Sequence, residues 1–413
     1  MTKLIFTISL SLFVFSETGI ASQVTDRPET LTLTNFQFGP QNRWAFSHMR
    51  EVLPTAKIEK NNKQVLTLHR GPDYVDDLTI SFDGQERSID EIAKSQYIDG
   101  LLVLKGGQIV FEKYFGYLDE SKPHLMNSVS KSIVSLVAAK LAEEKLIDLA
   151  KPVSYYVPEL AKSGWGQDSL QVVLDMRDGS DYTELYPDFT TTFRLQDCAI
   201  GWTEADYCPE NGPQGLHDFL STIGRDESKA GKFSYRSGST NVIGWVLESA
   251  TGKPLAELIS TYVWQPMGAE FDADITVDIG GSALADHGMS STLRDLGRVG
   301  LLVLNDGSAF GNQVIPAEFI ADLHAEPEAG NQIATEGVAL DYTPYYRSFW
   351  WGDGNTERDL TGLGIHGQIL RVAPEAGIVV VILSTWPRAD GDGEKELWFP
   401  TLGLVGGLVE QFR

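Results

Sequence analysis

Hydrophobic and polar positions change period several times along this chain, and the changes mark out its elements. Residues 99–116, DGLLVLKGGQIVFEKYFG, hold two apolar, β-branched runs around Lys105-Gly106-Gly107-Gln108, which predicts a β-hairpin closed by a tight turn. From 128 to about 147 the spacing becomes helical: Val129, Ile133, Leu136, Val137, Ala139 and Leu141 recur three and four residues apart. A short helix or turn is expected at 169–178, and 179–215 reads as loop. Asn241–Ala250 reads as a helix ended by Thr251-Gly252 with Pro254 beyond, and 291–304 as another, with Ser290 or Ser291 as its N-cap. Short apolar runs at Ser348–Trp351, Gln368–Val372 and Ile378–Ser384, separated by Gly and Pro, predict strands, and 395–412 a closing helix. Residues 22–96 carry mixed signals and read as an extension packed on a main domain at 97–413. Strands lie near both ends and helices in the middle, without the βα alternation that a parallel sheet requires.

At 413 residues the chain can bury a large core without staples. Its net charge of −24 sets up a field that repels phosphate backbones and anionic lipid, which argues against nucleic-acid binding. Residues 1–21 have the form of a signal peptide. Lys3 is followed by the apolar stretch Leu4–Phe15, too short to span a bilayer comfortably, and Gly19-Ile20-Ala21 offers a cleavage site. The expectation is an exported protein, periplasmic or secreted, with no stable membrane insertion after cleavage. The only cysteines, Cys198 and Cys208, are close in sequence and would pair in an oxidising compartment.

Chemistry concentrates in three places. Ser128-Val129-Ser130-Lys131 is the one Ser-x-x-Lys motif in the chain. On a helix it puts a hydroxyl and an amine on one face, and a neutral amine can activate a serine if desolvation lowers its pKa. Tyr235-Arg236-Ser237 lies in a turn before a helix, with Asn241 near enough to share a site. A competing Tyr346-Arg347-Ser348 runs into Phe349-Trp350-Trp351 and reads as the exposed start of a strand. Gly364-Ile365-His366-Gly367-Gln368 opens a C-terminal strand, where a backbone N–H could join that of Ser128 in an oxyanion hole.

In this order the motifs resemble those of the serine β-lactamase and penicillin-binding superfamily. Within it the likeness is to class C-like hydrolases typified by 6-aminohexanoate-dimer hydrolase, through GLLVLKGGQIVFEKYFG, NSVSKSIVSLV, VLDMRDGSDYTE, FSYRSGSTNVIGWVLE, GMSSTLRDLGRVGLLVL and GIHGQILRV. The resemblance implies an α+β fold: an antiparallel sheet of about five strands from both chain ends, with a helical region inserted. It implies that Ser128 is acylated, that Lys131 takes its proton, and that Tyr235 relays a proton to the leaving group. Ser237, Asn241, His366, Gly367 and Gln368 are then candidates for binding or oxyanion contacts. Relatives that act on β-lactams carry Lys-Thr-Gly where this chain has Ile365-His366-Gly367, so ester and amide cleavage fits better than β-lactamase or D-alanyl-D-alanine peptidase activity. A non-catalytic sensor is the remaining alternative. The aromatic-rich stretch from Tyr182 to Trp202 is expected to wall the acyl pocket.

Other signals fall away. Gly362–Gly367 fits G-x-G-x-x-G but precedes a strand, not a helix. There is no G-x-S-x-G elbow, and the histidines lack H-x-H or H-x-x-x-H spacing, so neither a metal nor a cofactor is expected. The expected partner is a small ester or amide substrate; the oligomeric state stays open.

Overall fold

The computed structural model describes residues 26–186, 188, 190–325, 345–353, 357–389 and 396–413. The leader-like segment 1–21 lies outside the described residues. The hairpin forms as its pattern requires: β1 (Ile98–Lys105) and β2 (Gln108–Tyr114) pair antiparallel across a turn in which Gly106 and Gly107 both have positive φ. The C-terminal part supplies β3 (Tyr345–Arg347), β4 (Trp350–Gly352), β5 (Leu360–Gly364), β6 (Gln368–Ala373) and β7 (Ile378–Ser384). These join in one antiparallel sheet of order β3-β4-β5-β6-β7-β1-β2, so strands from the two ends of the chain meet at β7 and β1. The five longer strands, β5, β6, β7, β1 and β2, are its body, and β3 and β4 extend one edge.

Every residue of β7 is buried, and a strand buried along its whole length needs cover on both faces. One cover is helix Leu293–Leu304, whose Gly297 and Gly300 let its backbone approach Leu102, Leu370 and Val379. The closing helix Trp398–Phe412 and the helix Ile89–Ser95 also pack on the sheet. The helical region lies between the two sets of strands, with Val129–Glu143 and Ser237–Thr251 as its longest members. A smaller antiparallel sheet aligns Thr55–Ile58, Ala273–Thr276, Met289–Ser291 and His124–Leu125 in that order, tying the N-terminal extension to the segment that precedes Ser128. No helix among the described residues is long and apolar enough to cross a membrane.

Three expectations need correction. The stretch 179–215 contains the helix Thr192–Ile200, hidden by a start of Thr and Phe residues that favour helix weakly. The cap of Leu293–Leu304 is Thr292, whose hydroxyl accepts from the Asp295 N–H; Ser290 and Ser291 belong to a strand instead. Ser348–Trp351 is not one strand, because Ser348 and Phe349 form a turn with φ of 45° and 63° that joins β3 to β4.

A Cβ on Gly300 would stand 2.4 Å from Val379 Cγ1 and 3.0 Å from Leu370 Cδ1. Helix propensity alone favours Gly300→Ala by about 1 kcal/mol, but overpacking costs about 1 to 3 kcal/mol. The substitution should therefore lower the urea midpoint; an unchanged or raised midpoint would show that the helix can lift from the sheet without cost.

Candidate active site

Ser128 is the N-cap of helix Val129–Glu143, and the chain reaches it through a sharp bend at Asn127, φ 46°. Asparagine tolerates that left-handed conformation, and here its Nδ2 donates to the carbonyl of Ile365 at 3.0 Å. One helical turn on, Lys131 points the same way as Ser128, with Nζ 2.6 Å from Oγ. The amine also donates to the carbonyl oxygen of Asp286 at 2.9 Å. Lys131 is only 1% exposed and makes no salt bridge among the described residues. Burial pulls its pKa below the ordinary lysine value, while the carboxylates of Glu184 and Asp286 pull the other way. The hydroxyl and the amine predicted from Ser-x-x-Lys are thus in contact, and the environment favours the neutral amine.

Tyr235 stands on the other side of this pair. The centre of its ring lies 5.0 Å from Lys131 Nζ, and its hydroxyl is near enough to the Ser128 side chain for that side chain to pull its pKa down. Burial, and then the nearby Glu184, hold that hydroxyl well above the usual tyrosine pKa. Its neighbour Arg236 is fully buried and donates to the carbonyl of Met176, which anchors the turn. Tyr346 is not part of an exposed strand start as its sequence suggested. It is buried, its ring 6.0 Å from that of Tyr235, and Trp351 stacks on Tyr235 at 5.5 Å. Arg347 pairs with Asp175 and Asp322, and Ser348 is held by Asp175 and Gln171, so this second Tyr-x-Ser serves as a wall.

The supporting residues escaped the sequence reading. Glu184 accepts from the Ser237 N–H at 2.6 Å, from the Ser237 hydroxyl at 2.8 Å and from the Tyr186 hydroxyl at 2.8 Å. It therefore grips the start of the helix that follows Tyr235, and Ser237 faces Glu184. Asn241 accepts the Asp286 N–H at 3.2 Å and approaches Gln196 at 3.4 Å, while Gln196 donates to the Asp286 carboxylate at 2.8 Å. His287 Nδ1 lies 2.7 Å from that same carboxylate. Burial alone would raise the Asp286 pKa, but His287, Lys131 and Gln196 together hold it below the ordinary value. These contacts fix the backbone carbonyl on which Lys131 rests. Tyr182 and Trp202 are core side chains, so the aromatic stretch supports the site from behind as well as bordering it.

The third side is the turn after β5. A Cβ on Gly364 would lie 2.6 Å from the carbonyl oxygen of Met126 and 3.1 Å from Ser128 N, so only glycine lets this strand close on the serine. Among the described residues neither Ser128 N–H nor Ile365 N–H makes a backbone hydrogen bond. His366 and Gln368 turn away from the serine. His366 has φ 61°, and its Nδ1 donates to the carbonyl of Trp386 at 2.7 Å. Gln368 donates to the carbonyls of Ile365, His366 and Ser384 and so ties the turn together. Gly367, φ 86°, lies against the Trp386 ring, where a Cβ would come within 2.5 Å. Cys198 and Cys208 are joined as a disulfide, Cα atoms 5.5 Å apart. No group of three or more metal-ligating side chains occurs among the described residues.

Burial pulls the His366 pKa from 6.5 to about 4. The unfolded chain then binds a proton that the folded chain refuses, so stability is fully present above pH 6.5 and is lost as pH falls toward 4. The contribution is about 3 kcal/mol at 1.36 kcal/mol per pKa unit. His366→Asn, which tolerates the same backbone, should lose less stability between pH 7 and pH 4 than the wild type by about that amount. Parallel stability curves would contradict this.

Comparison with known proteins agrees with the geometry. A beta-lactamase family model matches residues 86–402. The 6-aminohexanoate-dimer hydrolase of Paenarthrobacter ureafaciens is 36% identical over 361 residues, covering 87% of this chain and 89% of its own. A solved structure from Bacillus anthracis, named "Putative 6-aminohexanoate-dimer hydrolase", superposes with a TM-score of 0.83 at 27% identity, covering 92% of this chain and 97% of that one. A D-stereospecific amidohydrolase from Streptomyces sp. shares the fold, with a TM-score of 0.53 at 16% identity over 71% of this chain and 92% of that one. With a family match across most of its length and a relative of this identity, the chain belongs to the beta-lactamase family of serine hydrolases, alongside 6-aminohexanoate-dimer hydrolase.

Proposed function

We propose that this protein cleaves small esters or linear amides through an acyl-enzyme on Ser128. The observation that carries the reading is the buried Lys131 amine 2.6 Å from Ser128 Oγ. Ser128 Oγ attacks the substrate carbonyl carbon as its proton passes to Lys131 Nζ. The carbonyl oxygen gathers negative charge between the N–H groups of Ser128 and Ile365. As the tetrahedral intermediate collapses, the proton travels through the Tyr235 hydroxyl to the leaving oxygen or nitrogen, and the acyl group stays on Ser128. Water then attacks the acyl carbon as its proton passes to the same pair; the bond from the acyl carbon to Ser128 Oγ breaks, the proton returns to Oγ, and the acid leaves. The raised Tyr235 pKa favours a phenol that relays protons, and the lowered Lys131 pKa favours the amine as base.

Substrate class follows from what faces the site. The strand that carries Lys-Thr-Gly in β-lactam-binding relatives has Ile365-His366-Gly367 here, and His366 is uncharged at neutral pH and bonded to Trp386. A β-lactam carboxylate gains no cation from the Ile365-His366-Gly367 stretch, while an uncharged ester such as p-nitrophenyl butyrate needs none. Export is supported by the leader-like pattern of residues 1–21 and by the paired cysteines.

A fluorophosphonate probe should add to Ser128, as read by intact mass and peptide mapping, and the adduct should vanish in Ser128→Ala. An adduct on another residue would refute the assignment. A lost charge-assisted hydrogen bond costs roughly 1.5 to 3 kcal/mol, about ten- to more than a hundredfold in rate. We expect kcat/KM for p-nitrophenyl butyrate to exceed that for a chromogenic cephalosporin by about a hundredfold or more. Equal values would put β-lactamase activity in place of this reading. Lys131→Arg should lose nearly all turnover, because a guanidinium cannot accept the serine proton at neutral pH. Activity above about a tenth of wild type in that variant would remove Lys131 as the base.

A further inference from the structure

The two N–H groups that the proposed mechanism assigns to the oxyanion, those of Ser128 and Ile365, come from segments far apart in sequence. One side chain from the N-terminal extension touches the approaches to both. Phe46 is 1% exposed. The edge of one ring meets the face of the other at His124, centroids 5.8 Å apart, and again at His366, centroids 5.2 Å apart. His124 lies in the strand that leads into Asn127 and Ser128, and His366 is in the turn that carries Ile365. The Phe46 carbonyl also accepts the Leu125 N–H at 2.8 Å.

The same short stretch holds the turn from behind. Asn42 Nδ2 donates to the Trp386 carbonyl at 2.7 Å, the acceptor that His366 Nδ1 also uses. The Gly39 N–H donates to the Pro387 carbonyl at 2.9 Å. On the serine side, Arg43 pairs at 3.0 Å with Asp99, whose other oxygen lies 3.4 Å from His124 Nε2. Residues 39–46 thus bridge the two walls of the oxyanion site without contacting Ser128 or Lys131.

We infer that Phe46 is a positioning residue for the oxyanion hole: it wedges between His124 and His366 and so sets how far the Ile365 N–H stands from Ser128. The N-terminal extension is then part of the catalytic apparatus. The inference rests on the proposed acyl-transfer reading of the site. Removing the wedge lets the turn relax and weakens binding of the tetrahedral oxyanion, which needs both donors, more than binding of the planar substrate.

The test compares wild type, Phe46→Ala, the milder Phe46→Leu, and Ile58→Ala. Ile58 is a buried residue of the same extension, paired with Ala273 in the small sheet away from the turn. For p-nitrophenyl butyrate, Phe46→Ala should lower kcat by about tenfold or more and leave KM within about threefold. Phenylboronic acid, which forms a tetrahedral adduct on the serine, should bind more weakly by a similar factor. Phe46→Leu should show the same split to a smaller degree, and it decides the matter if the alanine variant does not fold. Ile58→Ala should lower the melting temperature and leave kcat and boronate affinity within about twofold. Phe46 variants that fold with wild-type kcat and boronate affinity overturn the inference, as does an equal loss in Ile58→Ala. A wild-type protein inert to both ester and boronate overturns the functional reading, and the inference with it.

Discussion

The site depends on the desolvation of one amine. Lys131 is buried at the foot of its helix, with a serine hydroxyl and a backbone carbonyl as its hydrogen-bond partners and no carboxylate in contact. A charged ammonium in that position would lack its hydration shell and a counter-ion, a combination that folded proteins avoid by releasing the proton. Two buried carboxylates are near enough to oppose this, but each is committed elsewhere. Glu184 is held by Ser237 and Tyr186, and Asp286 by Gln196 and His287. The balance lowers the pKa of the amine and so favours its neutral form beside the hydroxyl, the arrangement acyl transfer needs.

The fold makes this balance possible by bringing three remote segments to one point. The helix of Ser128 and Lys131 packs on β5 and β6 of the main sheet. The turn that carries Tyr235 is anchored by Arg236 and by Glu184, from a loop ahead of the helix Thr192–Ile200. The turn Ile365–Gly367 is fixed by Gln368 and by the glycine that lets β5 approach Ser128 N. The sheet joins the first and last strands of the main domain through β1 and β7, so Ile98–Lys105 and Ile378–Ser384 lie side by side.

Much of this was legible in the sequence where local pattern and structure agree. The hairpin, the helix beginning near Ser128 and the closing helix follow from periodicity, because their own residues bury the faces that define them; the helix read over Asn241–Ala250 forms too but starts earlier, at Ser237. The contact between Ser128 and Lys131 was legible because a Ser-x-x-Lys motif at a helix start fixes its own geometry; Tyr235 was singled out by the family resemblance. What escaped was set by distant partners. Nothing near His366 announces that its ring will seek the Trp386 carbonyl and leave the pocket. Glu184 and Asp286 look like ordinary acidic residues until the fold sets them beside Ser237 and Lys131. The helix Thr192–Ile200 forms against its own propensity because Phe193 and Ile200 find buried places. Tyr346 reads as exposed only if β3 is taken alone; packed edge-to-face against Tyr235 and Trp351 it becomes a wall.

The most direct test of the central claim is to watch the amine itself. Carbon-13 NMR of protein labelled at lysine Cε, with the Lys131 resonance assigned by its loss in Lys131→Arg, reports the charge on each lysine as pH is raised. The account predicts that the Lys131 signal has the position of a neutral amine near pH 7 and titrates well below the exposed lysines. A Lys131 signal that stays in the charged position and titrates together with them would contradict it.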